Sequence, residues 1–127
     1  MRFALIALAF VATATAPLAP AEASRAIRAE IPAAQAEQFI GREGTVCGVV
    51  AGARFAENAE GQPTFLFVGA AFPNHPFSAR VWGRDRDALG VDLDALTGRT
   101  ICVSGDITSS NNRPEIVVRG ARSLKVS

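Results

Sequence analysis

From Thr45 to Gly120 the chain runs in short stretches of apolar and polar residues, cut by clusters of glycine, proline, asparagine and aspartate. Alternation with a period of two is the mark of a strand with one face on a core. The clearest case is FSARVWG (77–83), which sets Phe77, Ala79 and Val81 against Ser78, Arg80 and Trp82. RTICVSGDI (99–107) likewise sets Ile101, Val103 and Ile107 against Thr100, Cys102 and Ser104. TVCGVVAGARF (45–55) is rich in valine, and its glycines at 48 and 52 mark a bend or bulge in a long strand. TFLFVG (64–69) is the second strand in order and PEIVVRG (114–120) the fifth, where a leading proline is tolerated. AENAEGQP (56–63), AAFPNHP (70–76) and TSSNNR (108–113) read as a loop and two turns, and ARSLKVS as a tail with room for a last half strand.

Two segments depart from this pattern. PAAQAEQFIG (32–41) opens with proline, carries alanine and glutamine, and ends in glycine, which predicts a short helix with Ala36, Phe39 and Ile40 as its apolar stripe. RDRDALGVDLDALTG (84–98) offers Asp85 or Asp87 as a cap and Leu89, Leu93 and Leu96 as contacts. Gly90 argues against one long helix there, so two short turns or a short helix around 92–96 fit better. SRAIRAEI (24–31) is either a flexible lead-in or a short strand.

The N-terminus has a different character. A positive start at Met1-Arg2, an apolar run from Phe3 to Val11 and small residues ending in Ala21-Glu22-Ala23 predict a signal peptide over residues 1–23. The apolar run is too short to span a bilayer, which takes about 20 residues, and nothing downstream reads as a membrane span. This predicts a periplasmic or secreted protein with no membrane insertion after cleavage. It has a lead-in at 24–32 and one domain at 33–127. Export makes a Cys47–Cys102 disulfide the default, two separately buried thiols being the alternative. With 13 basic and 12 acidic residues and a net charge of +1, bulk charge does not favour polyanions, so nucleic-acid binding would need a local patch.

Strand, strand, strand, short helical link, strand, strand is the order of the OB barrel. The expected fold is therefore all-β, a five-stranded OB-fold barrel with a short N-terminal helix and a short helical link between its third and fourth strands. Its first and fourth strands pair, which would set Cys47 opposite Cys102. The combination of TVCGVV (45–50), GQPTFLFVGAAFPNHPFSARVWG (61–83), GRTICVSGDI (98–107) and RPEIVVRG (113–120) resembles a group of small exported bacterial OB-fold domains described as nucleic-acid-binding, found alone or beside nuclease domains. The resemblance covers roughly residues 33–126. Such sequences carry a polar residue where this chain has Phe67.

The aromatic residues between Gly61 and Trp82 are the candidate chemistry. Arg80 and Trp82 should face outward, opposite Phe77. Two phases compete for the preceding strand: Leu66 and Val68 inward with Phe65 and Phe67 outward, or the reverse. The residues alone do not decide, and the resemblance implies Phe67 outward. In the first phase Phe65, Phe67, Arg80 and Trp82 form a stacking platform for single-stranded bases, with Arg113 in the loop beside it. In the second the same rings fill the core. Arg54, Arg84, Arg86, Arg119 and Arg122 would extend a basic strip, with Asp85, Asp87 and Glu115 available to pair with it. His75, the sole histidine, reads as a surface turn residue. Asp92 and Asp94 are weak candidates for a carboxylate pair. No nucleophile elbow, phosphate loop or metal-ligand spacing is present. The sequence thus predicts a non-catalytic module with no cofactor and no metal. Its expected partner is single-stranded nucleic acid, the alternatives being an envelope protein or an oligosaccharide.

Overall fold

The computed structural model describes Ala9 and residues 26–127, residues 26–28 by backbone only. The expected signal peptide lies outside the described residues apart from Ala9. Eight strands follow in chain order: β1 (Ala26–Pro32), β2 (Glu43–Phe55), β3 (Thr64–Val68), β4 (Phe77–Val81), β5 (Thr100–Asp106), β6 (Thr108–Ser110), β7 (Arg113–Val117) and β8 (Leu124–Val126). They form one sheet in the order β6-β7-β4-β3-β2-β5-β8, with β1 paired to β2 off this path.

The chain is all-β as expected, but it is not a closed five-stranded barrel. Its eight strands form an open sheet whose end strands, β6 and β8, do not pair. Two features keep it open. The expected fourth strand breaks at Ile107, whose backbone bonds Arg42 O and Gly41 N instead of a neighbouring strand. β5, before the break, pairs with β2, and β6, which follows it in the stretch expected to be a turn, pairs with β7. The other edge of β5 is then taken by β8, through Ile101 opposite Val126 and Val103 opposite Leu124. That edge is the one a ring would have to close on.

β2 explains much of the rest. Its first half pairs with β5 on one side and, in parallel, with β1 on the other. Its second half pairs with β3 after a register shift between Val50 and Gly52, the bulge that the glycines predicted. Gly48 is needed for packing, since a Cβ there would come within 2.7 Å of Val68 Cγ1. Of the two forms open to residues 24–31, a strand forms from Ala26 onward, so the stretch taken as a flexible lead-in is part of the sheet. The segment TSSNNR is less of a turn than expected. β6 takes Thr108–Ser110, and the reversal is made by Asn111 and Asn112 alone, both at positive φ (50° and 63°), as a two-residue hairpin turn requires.

The core lies on one face of the central strands. Leu66, Val68, Phe77, Ala79, Val81, Ile101, Val103 and Ile116 are fully buried there. The alternation in FSARVWG and RTICVSGDI thus points as expected. The helix forms as a 3-10 helix, Ala33–Phe39, that buries Ala33 and Ala36. These are three residues apart, the spacing at which side chains eclipse in that helix. Ile40, expected in the stripe, is 37% exposed. Residues 84–98 make three single turns, Gly83–Asp85, Asp87–Leu89 and Leu93–Ala95, which deliver Leu89 and Leu93 to the core. Asp92, not Asp85 or Asp87, supplies a side-chain cap, accepting from the Asp94 backbone N–H. Cys47 and Cys102 are direct partners across β2 and β5 and are joined by a disulfide, their Cα atoms 4.1 Å apart.

Candidate nucleic-acid interface

The face of β3, β4 and β7 opposite the core carries the site. Directly opposed residues in a sheet share a face, so the register alone lays out two rows. Arg54, Phe65, Arg80 and Val117 make the first. Phe67, Ser78, Glu115 and Thr108 make the second. The turn after β3 and the Asn111–Asn112 turn rise on either side of these rows. The result is a cleft of about 400 Å³, lined by Arg54, Phe65 and Arg80 of the first row and Phe67, Ser78 and Glu115 of the second, together with Phe72, Pro73, His75, Ser110, Asn111 and Arg113.

The phase of β3 is thereby resolved. Leu66 and Val68 are in the core, and Phe65 and Phe67 are on the opposite face. Facing outward does not leave Phe67 open, however. Its ring lies 5.4 Å from that of Phe72 and 4.6 Å from that of His75, and it is only 9% exposed. Phe72 is the open ring, 59% exposed, held 5.8 Å from His75 in a stacked arrangement. The expected platform is therefore a cluster of three rings with Phe72 outermost and half-buried Phe65 beside it. Phe72 was not expected to take part. Its turn contains two prolines and a cis Phe72–Pro73 peptide, and it folds back over β3.

Trp82 is elsewhere. It is half-buried, lines a separate hollow with Gly61 and Arg84, and does not line the cleft. Its ring lies against Gly61, where a Cβ would come within 2.8 Å of it and where φ is +75°. Only glycine suits that position on both counts. Arg80 links the two regions, its guanidinium 5.1 Å from the Phe65 ring centre and 5.1 Å from that of Trp82.

The charges divide into held and open ones. Arg80 Nε lies 3.1 Å from Glu115 Oε1, its Nη2 donates to Ser110 Oγ at 3.3 Å, and Ser78 Oγ donates to Glu115 Oε2 at 3.2 Å. Arg80 is thus committed within the protein and is not an open member of the expected platform. Glu115, taken from sequence only as a surface counter-charge, is 4% exposed and sits on the floor of the cleft. Burial raises its carboxyl above the ordinary 4.5, opposed by the Arg80 charge and the Ser78 hydroxyl. Elsewhere Arg84 pairs with Asp85 and Arg86 with Asp94, while Arg86 also covers the Phe55 ring at 4.3 Å. Part of the expected basic strip is therefore paired with carboxylates. Among the described residues, Arg54 and Arg113 line the cleft with no carboxylate within ion-pair distance.

His75 is also not the exposed turn residue it seemed from its PNHP setting. It is 7% exposed, and Arg113 Nη1 lies 3.0 Å from its Nδ1 and 3.3 Å from its Nε2. A guanidinium only donates, so the ring nitrogen facing it must be the unprotonated one. Burial, and then the Arg113 charge, hold the imidazole below its ordinary 6.5. A lowered folded value means that the unfolded chain takes up the proton first. Stability linked to His75 is therefore intact above pH 6.5 and is lost as pH falls from there through the lowered folded value. Wild type should lose stability relative to His75→Gln between pH 7 and pH 5 in parallel urea titrations. Superimposable pH profiles for the two proteins would refute this.

The sequence matches no family model and no curated protein. Among solved structures, a crystal structure of yeast Stn1 and Ten1 superposes with a TM-score of 0.55 at 12% identity, over 80% of this chain and 63% of that one. A putative aspartyl-tRNA synthetase from Leishmania major Friedlin superposes at 0.48 and 13% identity, over 78% of this chain and 20% of that one, too loosely to support an inference. What the comparison shows is a likeness of fold alone: a weak structural resemblance to domains of the OB type, with nothing that narrows it to bacterial or exported ones.

Proposed function

We propose that this domain is a non-catalytic, exported module that binds single-stranded nucleic acid in the cleft above β3, β4 and β7. The observation that carries the reading is the meeting of aromatic and cationic groups in one concave site. Phe65 and Phe72 offer ring faces for bases, while Arg54 and Arg113 stand at the sides with charge to spare. Stacking on aromatic faces with arginine at the backbone is the usual chemistry of single-strand binding. Arg80 serves as a strut, holding Glu115 and the Phe65 ring in place. Trp82 lies outside this site. The weak OB-type likeness is consistent with the reading, since such folds use this part of the sheet for oligonucleotides and oligosaccharides. The expected N-terminal signal and the disulfide fit an oxidising compartment. His75 is no ready proton carrier, because it is held against a guanidinium.

Fluorescence anisotropy with a labelled single-stranded oligonucleotide tests the proposal. Two phosphate contacts give a slope of about −1.4 for log affinity against log salt, or about a sevenfold loss between 50 and 200 mM. Phe72→Ala should weaken binding by about tenfold, within the 1–3 kcal/mol per stacked base. Because Phe72 is mostly exposed, its thermal melting should be unchanged. Absence of salt-sensitive binding at tens of micromolar protein would refute the reading. Salt-insensitive binding of an oligosaccharide by the same cleft would replace it.

A further inference from the structure

We propose that the cleft selects guanine, with the carboxylate of Glu115 reading its Watson–Crick edge. This rests on the nucleic-acid reading above and adds the base that the site takes. Glu115 is 96% buried yet lines the cleft (4% exposed). An acid in that position needs its lone pairs met. The protein meets only part of that need: Arg80 Nε stands 3.1 Å from Oε1, and Ser78 Oγ donates to Oε2 at 3.2 Å. A carboxylate has about four acceptor positions, so each oxygen keeps one.

Two acceptors side by side match two parallel N–H donors. Guanine carries that pair, N1–H beside the N2 amino group. Thymine and uracil present one N–H between two carbonyl oxygens, which a carboxylate repels. Adenine and cytosine present an amino group beside a bare ring nitrogen, so only one oxygen is served. Ser78 donates to one oxygen and the Arg80 charge lies beside the other, which orients the carboxylate and makes it a directional reader and not only a charge. Phe65 and Phe72 supply ring faces at the same cleft, and Arg54 and Arg113 supply the charge for flanking phosphates. Phosphate contacts and stacking carry no sequence information by themselves. Glu115, on the floor of the cleft, can read a base edge.

The test uses short, labelled thymidine oligonucleotides whose central base is guanine, cytosine, adenine, thymine or N1-methylguanine, titrated with the wild-type protein and with Glu115→Gln. Wild type should prefer the guanine oligonucleotide over the all-thymine one by about tenfold, the range of one bidentate base contact. N1-methylguanine, which lacks one of the two donors, should bind like thymine. Glu115→Gln should lose the preference for guanine. Equal wild-type affinity for all central bases would overturn the guanine assignment and leave the single-strand reading standing. A preference that survives N1-methylation would overturn Glu115 as the reader, and the wild-type protein alone gives that answer even if the variant does not fold. No binding of any oligonucleotide would refute both proposals.

Discussion

Phe77→Ala should cost about 3–5 kcal/mol, the range for truncating a buried phenylalanine, and so remove most of the stability of a domain this small. Phe77 is fully buried on β4, opposite Val68 of β3 and in the same cluster as Ile101, Val103 and Ile116. Its ring therefore lies in the core shared by the two halves of the sheet, that of β3, β4 and β7 and that of β2 and β5. Removing it leaves a cavity whose walls belong to separate strands, which cannot collapse without breaking register. Typical domains have only about 5–15 kcal/mol in total. Urea denaturation followed by circular dichroism measures the loss. Phe77→Leu, which retains more of the volume, should lie between wild type and alanine. A cost under about 1 kcal/mol would mean that Phe77 is not central to that core.

Loss of the Cys47–Cys102 disulfide has the next largest expected effect. The bridge closes a loop with a sequence separation of 55, for which the chain-entropy model gives about 4 kcal/mol. The loop holds the rest of β2, all of β3 and β4, the three turns and the start of β5, so opening it frees the unfolded chain over the part that forms most of the sheet. The native state should change little, because seven residue pairs hold β2 and β5 in register regardless of the bond. Cys47→Ser with Cys102→Ser should fold to the same circular dichroism spectrum and unfold at markedly lower urea. Adding a reductant to wild type should reproduce that shift. Identical midpoints with and without reductant would contradict the prediction.

These two residue sets also show how far the sequence could be read. Phe77, Ala79 and Val81 announce their face because each is separated by a polar residue, and a strict period of two leaves no second phase. TFLFV lacks that contrast, since its residues from Phe65 to Val68 are all apolar, so its pattern admits both phases. The pairing of Cys47 with Cys102 followed from strand order and survives the change from closed barrel to open sheet, because only the β2–β5 pairing is involved. Closure itself depended on β8 taking the edge of β5, and three residues near the chain end give little local signal. The cleft was least legible. Glu115 reaches Ser78 across 37 residues through a parallel pairing of β4 with β7, and no local pattern encodes that register. Phe72 and His75 looked like ordinary turn residues because what defines them is the strand over which the turn folds back.

The opposed faces of β3 and β4 have a consequence for how this molecule can change over evolution or under a designer's hand. Leu66 and Ala79 look one way while Phe65 and Arg80 look the other, and the remaining walls of the cleft come from two turns. Recognition and folding are thus written in different letters of the same short words. Substitutions that retune the occupant of the cleft can accumulate at Phe72 or Arg54 without spending the stability held by the other set. The exception is the knot of Ser78, Arg80 and Glu115, which belongs to both, and there a new preference and a firm fold would have to be found together.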